Sequence, residues 1–314
     1  MRTAPRGQRG VALILVIWVV TLLLVIAGSF LYAMRTEAQA ARNASLVARG
    51  DAIAQAAVSR ALIELFKPPG GPDVWPRDGM PREWGFEGVV VQVRLSDESA
   101  KIDINTANNE LLKGLFRSAG ATEEEVASLL DAVLDWRDQD SLKRPYGAEE
   151  PEYAQAGLKA KPANRPFQST EELQLVLGVR PEIYQRIAPM ITVFSRQSGV
   201  NVHLASRSVL LAIPGVTAEQ VDAFLAERDA ARAERRIPPI LPSAGAYATY
   251  SQSSAITVRA DVRLDEGITV SREAVAMITP QYARRPYTFL AWREVSRDAD
   301  AKAVAASQEA AGGR

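Results

Sequence analysis

VALILVIWVVTLLLVIAGSFLYAM, residues 11–34, contains no charged side chain, and Arg35 follows it directly. An uncharged stretch of this length can cross a bilayer as an α-helix. Three arginines precede it, at positions 2, 6 and 9, and Gly10 separates them from Val11. Positive charge on the N-terminal side predicts a cytoplasmic N-terminus and an exported C-terminal part. The chain is therefore predicted to be a single-pass membrane protein.

Three interpretations of this N-terminal region differ in where the chain is cut. A secretory signal peptide has an apolar core of roughly 7–15 residues and a small-residue cleavage site. The stretch here is longer and offers only the weak site Ala27-Gly28-Ser29. An uncleaved signal anchor fits the composition. A type IV prepilin leader fits it too, since such a leader is cut on the cytoplasmic side, here between Gly10 and Val11, and the apolar helix stays on the mature protein.

The residues that follow favour the prepilin interpretation, because they continue the helix. Between Arg35 and Phe66 there is no proline, Gly50 is the only glycine, and alanine is frequent. Alanine is the best helix former, and apolar residues recur here at helical spacing. A helix over 11–66 would be about 84 Å long and would end at the Pro- and Gly-rich residues 68–72. A long N-terminal helix of this kind is typical of pilins and pseudopilins.

The composition argues against several classes of function. The chain has 37 basic and 37 acidic residues, and its zero net charge gives no broad attraction to nucleic acid. It has no cysteine and therefore needs no disulfide. His203 is the only histidine, which removes most histidine-based catalysis and histidine-rich metal sites. We expect a protein that is not an enzyme.

Strands are predicted by alternating apolar and polar residues on both sides of a helical region. The predicted strands are 88–95, 101–105, 255–264, 268–278 and 287–295. We expect the first two to form one hairpin and the next two to form another around Asp265-Glu266-Gly267. Residues 67–87 are expected to form an ordered loop. Within the helical region, Thr122 with Glu125 and Thr217 indicate helix starts.

These elements predict an α+β fold. A pilin-like N-terminal helix, half transmembrane and half amphipathic, would pack on a small antiparallel sheet, and a large all-helical domain would be inserted between the sheet strands. The predicted segments are a leader at 1–10, the spine helix at 11–66, a first pilin-like part at 67–105, the all-helical insert at 106–235, a second pilin-like part at 236–297 and a flexible tail at 298–314.

The insert contains a repeated pattern in which a strand-like segment leads into a short helix. It occurs at 104–115 and again at 200–216, where Pro214-Gly215-Val216 forms a tight turn before the next helix. This is the pattern of a helix-hairpin-helix unit, whose backbone N–H groups can bind a phosphate. A membrane-anchored DNA-binding protein of the competence type is therefore the alternative. Glu219 and Asp222 follow the turn and would repel phosphate, which favours a solvated helix face.

Acidic residues are concentrated in residues 135–153. The candidate metal ligands are Asp138, Asp140, Glu149, Glu150 and Glu152. Asp138 and Asp140 alternate as in the first half of a calcium loop, and oxygen ligands without a nearby His or Cys favour Ca²⁺ over zinc. The spacing is not that of an EF-hand. A charged surface loop, with Lys143 and Arg144 paired to the carboxylates, is the other interpretation.

Seven short motifs follow one another along the chain. They are Arg9-Gly10-Val-Ala-Leu-Ile-Leu, Ile104-Asn-Thr-Ala107, Leu134-Asp-Trp-Arg-Asp-Gln-Asp140, Gly147-Ala-Glu-Glu150, Asn164-Arg-Pro-Phe167, Glu171-Glu-Leu173 and Val176-x-Gly178. Together they resemble the minor pseudopilin K family of type II secretion (general secretion pathway protein K). Like that family, the chain lacks the glutamate that most pseudopilins carry at the fifth mature position. Counted from Val11, that position is Leu15.

The resemblance implies how the protein is processed and where it acts. Prepilin peptidase would cut after Gly10 and methylate the new amine of Val11. The subunit would sit in the bacterial inner membrane with its C-terminal domain in the periplasm. It would join minor pseudopilins I, J and H in a tip complex that starts pseudopilus assembly, limits its length and meets exported substrates on their way across the outer membrane.

The resemblance also bears on two candidate sites. The family binds calcium, which implies that Asp138, Asp140, Glu149 and Glu150 are Ca²⁺ ligands. At Leu15, other pilins have a carboxylate that can pair with the N-terminal amine of a neighbouring subunit. A subunit with leucine there has no carboxylate that could pair with the next subunit, and it is therefore suited to the last position in a filament.

Overall fold

The structure is a computed structural model that describes residues 9–67, 74–264, 267–279 and 285–295. Outside the described residues lie most of the leader, the Pro- and Gly-rich stop at 68–72, the turn residues Asp265 and Glu266, and the tail at 298–314. The α-helices are α1 (Arg9–Glu64), α2 (Asn109–Ser118), α3 (Glu123–Arg137), α4 (Glu150–Gln155), α5 (Pro181–Ile187), α6 (Arg207–Leu211) and α7 (Ala218–Ala233). The strands are β1 (Arg82–Phe86), β2 (Val89–Asp97), β3 (Ile102–Asp103), β4 (Ile191–Thr192), β5 (Val200–Asn201), β6 (Ala248–Thr249), β7 (Ala255–Arg263), β8 (Thr269–Ile278) and β9 (Tyr287–Glu294).

The longest element is α1, one unbroken helix of 56 residues. It confirms the expected long N-terminal helix. The apolar side chains in its first half are exposed, Trp18 at 73 % and Tyr32 at 76 %. By length and composition this helix can cross a membrane. A core helix of a soluble protein would instead be buried, so the exposure fits a helix that lies in lipid.

The second half of α1 packs on a five-stranded antiparallel sheet with the order β1-β2-β7-β8-β9. Ala54, Ala57 and Ala61 are fully buried on the helix face that meets the sheet. Their small side chains allow a close approach. Gly50 is required for the same reason, because a Cβ there would lie 2.6 Å from Val270 Cγ2. This half of α1 and the five strands are termed the sheet body.

The first predicted hairpin, 88–95 with 101–105, is wrong. β2 pairs with β1 and β7, whereas β3 runs parallel to β4. β1 lies within residues 67–87, which the sequence assigned to a loop. Glu87 and Gly88 connect β1 to β2 with φ values of 48° and 77°, and two consecutive left-handed residues form the tight turn that matches strand twist. The alternation of apolar and polar residues identified which face of each strand is buried, but it did not determine which strands pair with each other.

The second predicted hairpin and the last strand are confirmed. β8 pairs antiparallel with β7 along the whole of β7, with Arg263 opposite Thr269 next to the turn. β9 pairs with β8 and forms one edge of the sheet. Alternate residues of β7, such as Val258 and Ala260, are fully buried against α1.

The insert between β2 and β7, residues 98–254, is termed the helical body and is not purely helical. Besides α2 to α7 it contains two pairs of two-residue parallel strands, β3 with β4 and β5 with β6. Its core extends past the expected boundary at 235, since Leu241 and Ala244 are buried within it. These short parallel pairs form where separate loops meet, and such pairing leaves no periodic signal in the sequence.

Capping residues have the predicted role in this body. Thr122 with Glu125 and Thr217 with Gln220 form capping boxes at the starts of α3 and α7. The two helix-hairpin-helix units pack closely: a Cβ on Gly114 in α2 would lie 2.0 Å from the carbonyl oxygen of Ala212, directly after α6.

Candidate functional site

The acidic residues gather where α3 ends and α4 begins. Asp135 is fully buried on α3, and the Arg144 guanidinium donates to its Oδ1 at 2.6 Å. The same Nη1 atom contacts Asp138 Oδ2. The backbone N–H of Arg144 also donates to Asp135, with N···O distances of 3.4 and 3.2 Å. A Cβ on Gly147 would lie 1.9 Å from Asp135 Oδ2, so this loop closes tightly over Asp135.

Most of the predicted ligands have protein partners. Lys143 Nζ lies 3.0 Å from Glu152 Oε1, and Lys161 Nζ lies 3.4 Å from Glu150 Oε2. Asp140 Oδ1 accepts the backbone N–H of Leu142 at 2.9 Å. These contacts are the pairing expected of a charged surface loop.

Two carboxylate oxygens do not fit that description. Glu149 Oε1 and Asp138 Oδ1 are buried without a hydrogen-bond partner among the described residues. Burial raises the pKa of the Glu149 carboxyl, and the nearby carboxylates of Asp135, Asp138, Asp140 and Glu152 raise it further. Buried, unpaired, like-charged oxygens are costly unless a cation binds them.

The residues therefore fit a hard divalent cation by their chemistry. Glu149, Glu150 and Glu152 line a cleft of about 620 Å³, and Ca²⁺ takes oxygen ligands of this kind. In the described part of the chain, however, no three His, Cys, Asp or Glu side chains converge on a point where one metal ion could sit. The present arrangement has cationic side chains among the carboxylates instead.

The sequence placed Asp135 in the acidic region, but Asp135 was not among the candidate ligands. It lies three residues before Asp138 on α3, and helical spacing places two such residues on the same face. That spacing was the available signal. What it could not indicate was the burial of Asp135 or its contact with Arg144.

Behind the acidic loop, several of the short motifs meet in space. Asn105 Nδ2 donates to the Phe167 carbonyl at 2.9 Å, and the Phe167 N–H donates back to Asn105 Oδ1 at 2.8 Å. The Phe167 ring stacks on Trp136 with 6.0 Å between centroids. Tyr153 is fully buried, and burial raises its pKa to about 12. The motifs thus form one core that supports the acidic loop.

Part of this architecture matches a known protein family. Residues 93–196, which include β3, α2, α3 and the acidic loop, match the family model described as type II secretion system (T2SS), protein K. Over these residues the chain is similar to the type II secretion system protein K family. It is 27% identical to the type II secretion system protein K of Pseudomonas aeruginosa over 244 residues, which cover 69% of this chain and 73% of that protein. The Aeromonas hydrophila protein K is also 27% identical, over 59% of this chain and 63% of its own length.

The fold of this chain is also found among solved structures. One chain of the GspK-GspI-GspJ complex from the enterotoxigenic Escherichia coli type 2 secretion system superposes with a TM-score of 0.58 at 16% identity. The match covers 83% of this chain and 99% of that chain. It confirms the α+β, pilin-like fold. The similarity to protein K and the exposed apolar helix together indicate a membrane-anchored, single-pass protein.

The N-terminal site residues lie on α1. Gly10 and Val11 are both within the helix. Leu15 is 62% exposed and is flanked by other exposed apolar side chains. The part of α1 around Leu15 therefore presents an unbroken apolar surface.

The similarity to protein K does not favour the DNA-binding alternative. Gly215 has the left-handed φ of 80° expected for the hairpin turn, but acidic side chains follow this turn. Asp222 pairs with Arg207 at 2.6 Å, and Arg236 pairs with Glu234 at 2.6 Å. Arg207 and Arg236 are thus engaged within the protein.

Proposed function

We propose that this protein is a minor pseudopilin K, a structural subunit and not an enzyme, that occupies the tip of the type II secretion pseudopilus, starts its assembly and limits its length. The observation that carries the proposal is the position of the helical body. Glu64 and Lys67 at the C-terminal end of α1 line the same cleft as Arg228 and Arg232 of α7. The helical body therefore sits at the end of α1 opposite to the apolar half, where it would obstruct a further subunit.

The helical body is also tied firmly to the sheet body. Glu98 lies between the two and accepts hydrogen bonds from Thr257 on β7, at 2.6 Å, and from Thr192 on β4. Arg293 on β9 pairs with Glu171 at 2.7 Å. A rigid attachment supports a capping role, because a loosely tethered domain could swing aside.

Leu15 supports the same role from within the membrane. With leucine at this position, α1 offers no carboxylate to the N-terminal amine of the next subunit. The Leu15→Glu variant should relax the restriction to the tip, and pseudopili should become longer or more variable in electron micrographs. Leu24→Glu, which places the same charge elsewhere on the apolar helix, is the matched control. Unchanged length and partner choice in Leu15→Glu would show that the missing carboxylate does not set the position.

Processing and orientation complete the proposal. We infer an inner-membrane subunit with a periplasmic body, cut by prepilin peptidase between Gly10 and Val11 and methylated on Val11. Coexpression with the peptidase, followed by N-terminal sequencing and mass measurement, should give a mature chain that starts at methylated Val11. An intact Met1, or a start near Ser29, would contradict this.

The partners are proposed to be minor pseudopilins I, J and H. The solved complex that this fold matches contains GspK, GspI and GspJ, which supports I and J, whereas H and contacts with exported substrates rest on the family resemblance. The full chain should co-purify with I and J from detergent extracts of cells that express this chain together with I, J and H.

Calcium binding at the acidic loop is the last part of the proposal. Asp138, Asp140, Glu149, Glu150 and Glu152 are the ligand candidates, and the unpaired oxygens of Asp138 and Glu149 support it. Bound calcium would neutralise the loop and hold it in one conformation. At a concentration of 100 times Kd, a ligand stabilises the folded state by roughly 2.7 kcal/mol. A melting temperature that is the same in calcium and in chelator would refute this site.

A further inference from the structure

We propose that Arg144 is an internal counter-ion of the acidic loop that competes with a divalent cation, so that its contact with Asp138 and calcium binding exclude each other. The inference rests on the calcium site proposed above and concerns how that site is regulated. It makes the loop a switch between a form held by Arg144 and a form held by the metal.

Arg144 is placed between two carboxylates. Its Nη1 lies 2.6 Å from Asp135 Oδ1 and contacts Asp138 Oδ2. Charge-assisted contacts of this kind are the strongest hydrogen bonds that a side chain makes. The guanidinium therefore occupies one oxygen of a candidate calcium ligand.

The neighbouring cations Arg137 and Lys143 contact groups other than Asp135 and Asp138. Arg137 donates to the carbonyl oxygen of Ile104, and Lys143 contacts Glu152 at 3.0 Å. Arg144 is thus the cation that contacts both Asp135 and Asp138. Its single charge still leaves Asp138 Oδ1 and Glu149 Oε1 buried without a hydrogen-bond partner in the described part of the chain. A divalent ion with 6–8 oxygen ligands would use such atoms.

A calcium ion at Asp138 would displace the guanidinium. Two cations that share one carboxylate repel each other strongly at a few ångströms. The backbone need not move, because the Arg144 N–H donates to Asp135 at 3.2 Å and Gly147 packs against the same side chain. The exchange requires only that the Arg144 side chain turn toward solvent.

Calcium titration by calorimetry of the full chain in detergent tests the inference. Arg144→Gln keeps a polar side chain and removes the competing charge, so calcium should bind roughly tenfold more tightly than to the wild type. Arg180→Gln is the matched control, since Arg180 pairs with Glu125 at 3.1 Å on the same body. Its calcium affinity should equal that of the wild type.

Thermal unfolding with and without calcium provides an independent readout. Arg144→Gln should lower the melting temperature in chelator and leave it nearly unchanged in saturating calcium, because the contact is already lost in the metal-bound form. Equal losses in both conditions, or calcium binding as weak as that of the wild type or weaker, would overturn the competition. Arg144→Lys keeps the charge without the planar fork, and its affinity should fall between the two. It carries the same test if Arg144→Gln does not fold.

The outcomes separate this inference from the proposal on which it rests. If neither the wild type nor folded Arg144→Gln binds calcium, the calcium site itself is refuted, and the switch with it. If the wild type binds calcium and Arg144→Gln binds no more tightly, the site stands and only the role of Arg144 is refuted.

Discussion

The sheet body and the helical body are held together by different means. In the sheet body, one long helix packs small residues such as Ala57 against strands whose side chains alternate, and the backbone pairing is regular. In the helical body, helices of 5–16 residues meet through side-chain contacts to the backbone, such as those of Asp103 and Asn105. The first depends on a repeated pattern and the second on individual residues.

The difference predicts how each body responds to substitution. A regular pattern spreads its stability over many similar contacts, so single changes on its open faces cost little. A body built from short elements concentrates stability in buried polar groups and close approaches, where one change leaves a partner unsatisfied. The five predictions below test this contrast on the full chain in detergent, with unfolding followed by circular dichroism.

The largest effect is expected at Glu98, which joins the two bodies. Glu98→Ala removes a buried carboxylate that pairs with Lys101 at 2.8 Å and with two threonine hydroxyls. Breaking such a pair should cost about 3–5 kcal/mol of unfolding free energy. The exposed Glu124, changed to Ala, should cost little. If Glu98→Ala unfolds like the wild type, the junction does not hold the two bodies together.

The same residue predicts acid sensitivity. Burial alone would raise the pKa of Glu98, but the Lys101 ammonium and the hydroxyls of Thr192 and Thr257 bring it below the ordinary value of 4.5. The stabilisation is therefore present above about pH 4.5 and is lost as the pH falls further. Glu98→Ala should show a smaller loss of stability on acidification than the wild type.

A pair of glycines compares the two bodies directly. Gly114→Ala in the helical body places a methyl group against the Ala212 carbonyl and should cost about 3 kcal/mol. Gly85→Ala in β1 meets nothing within 4 Å and should stabilise the sheet body by about 0.5 kcal/mol, because alanine loses less entropy on folding. Similar values for the two substitutions, measured by urea denaturation, would remove the contrast.

Glu149→Gln should stabilise the calcium-free protein at neutral pH by about 1–2 kcal/mol, because it removes a buried charge from among like charges. The raised pKa of Glu149 means that its penalty is absent in acid and develops as the pH rises above the unfolded value of about 4.5. The gain should therefore vanish at acid pH. The exposed Glu150, changed to Gln, should give almost no gain. A destabilised Glu149→Gln would show that this carboxylate is satisfied without metal.

The smallest effect is expected at a helix cap. Thr217→Ala removes the side-chain acceptor for the Gln220 N–H and should cost about 0.5–1 kcal/mol. Thr217→Ser should restore it. A loss above 2 kcal/mol would mean that α7 matters more to the helical body than its cap alone.

The sequence by itself determined the features that depend on local pattern. The uncharged residues 11–34 and the alanine-rich continuation required a long helix, and alternation required the β7–β8 hairpin. The capping residues Thr122 and Thr217 marked helix starts, because these side chains hydrogen-bond to the backbone only a few residues away. The acidic loop was visible for the same reason, as a local concentration of charge.

Only the tertiary structure decided which distant groups meet. β2 pairs with β7 instead of with residues 101–105, Asn105 holds Phe167, and Arg144 bridges Asp135 and Asp138. Each of these contacts depends on how the chain returns through space. Alternation of apolar and polar residues shows which face of a strand is buried, but it does not show which strand pairs with it. A charged residue in the sequence needs a partner when it is buried, but the sequence does not show which residue that partner is.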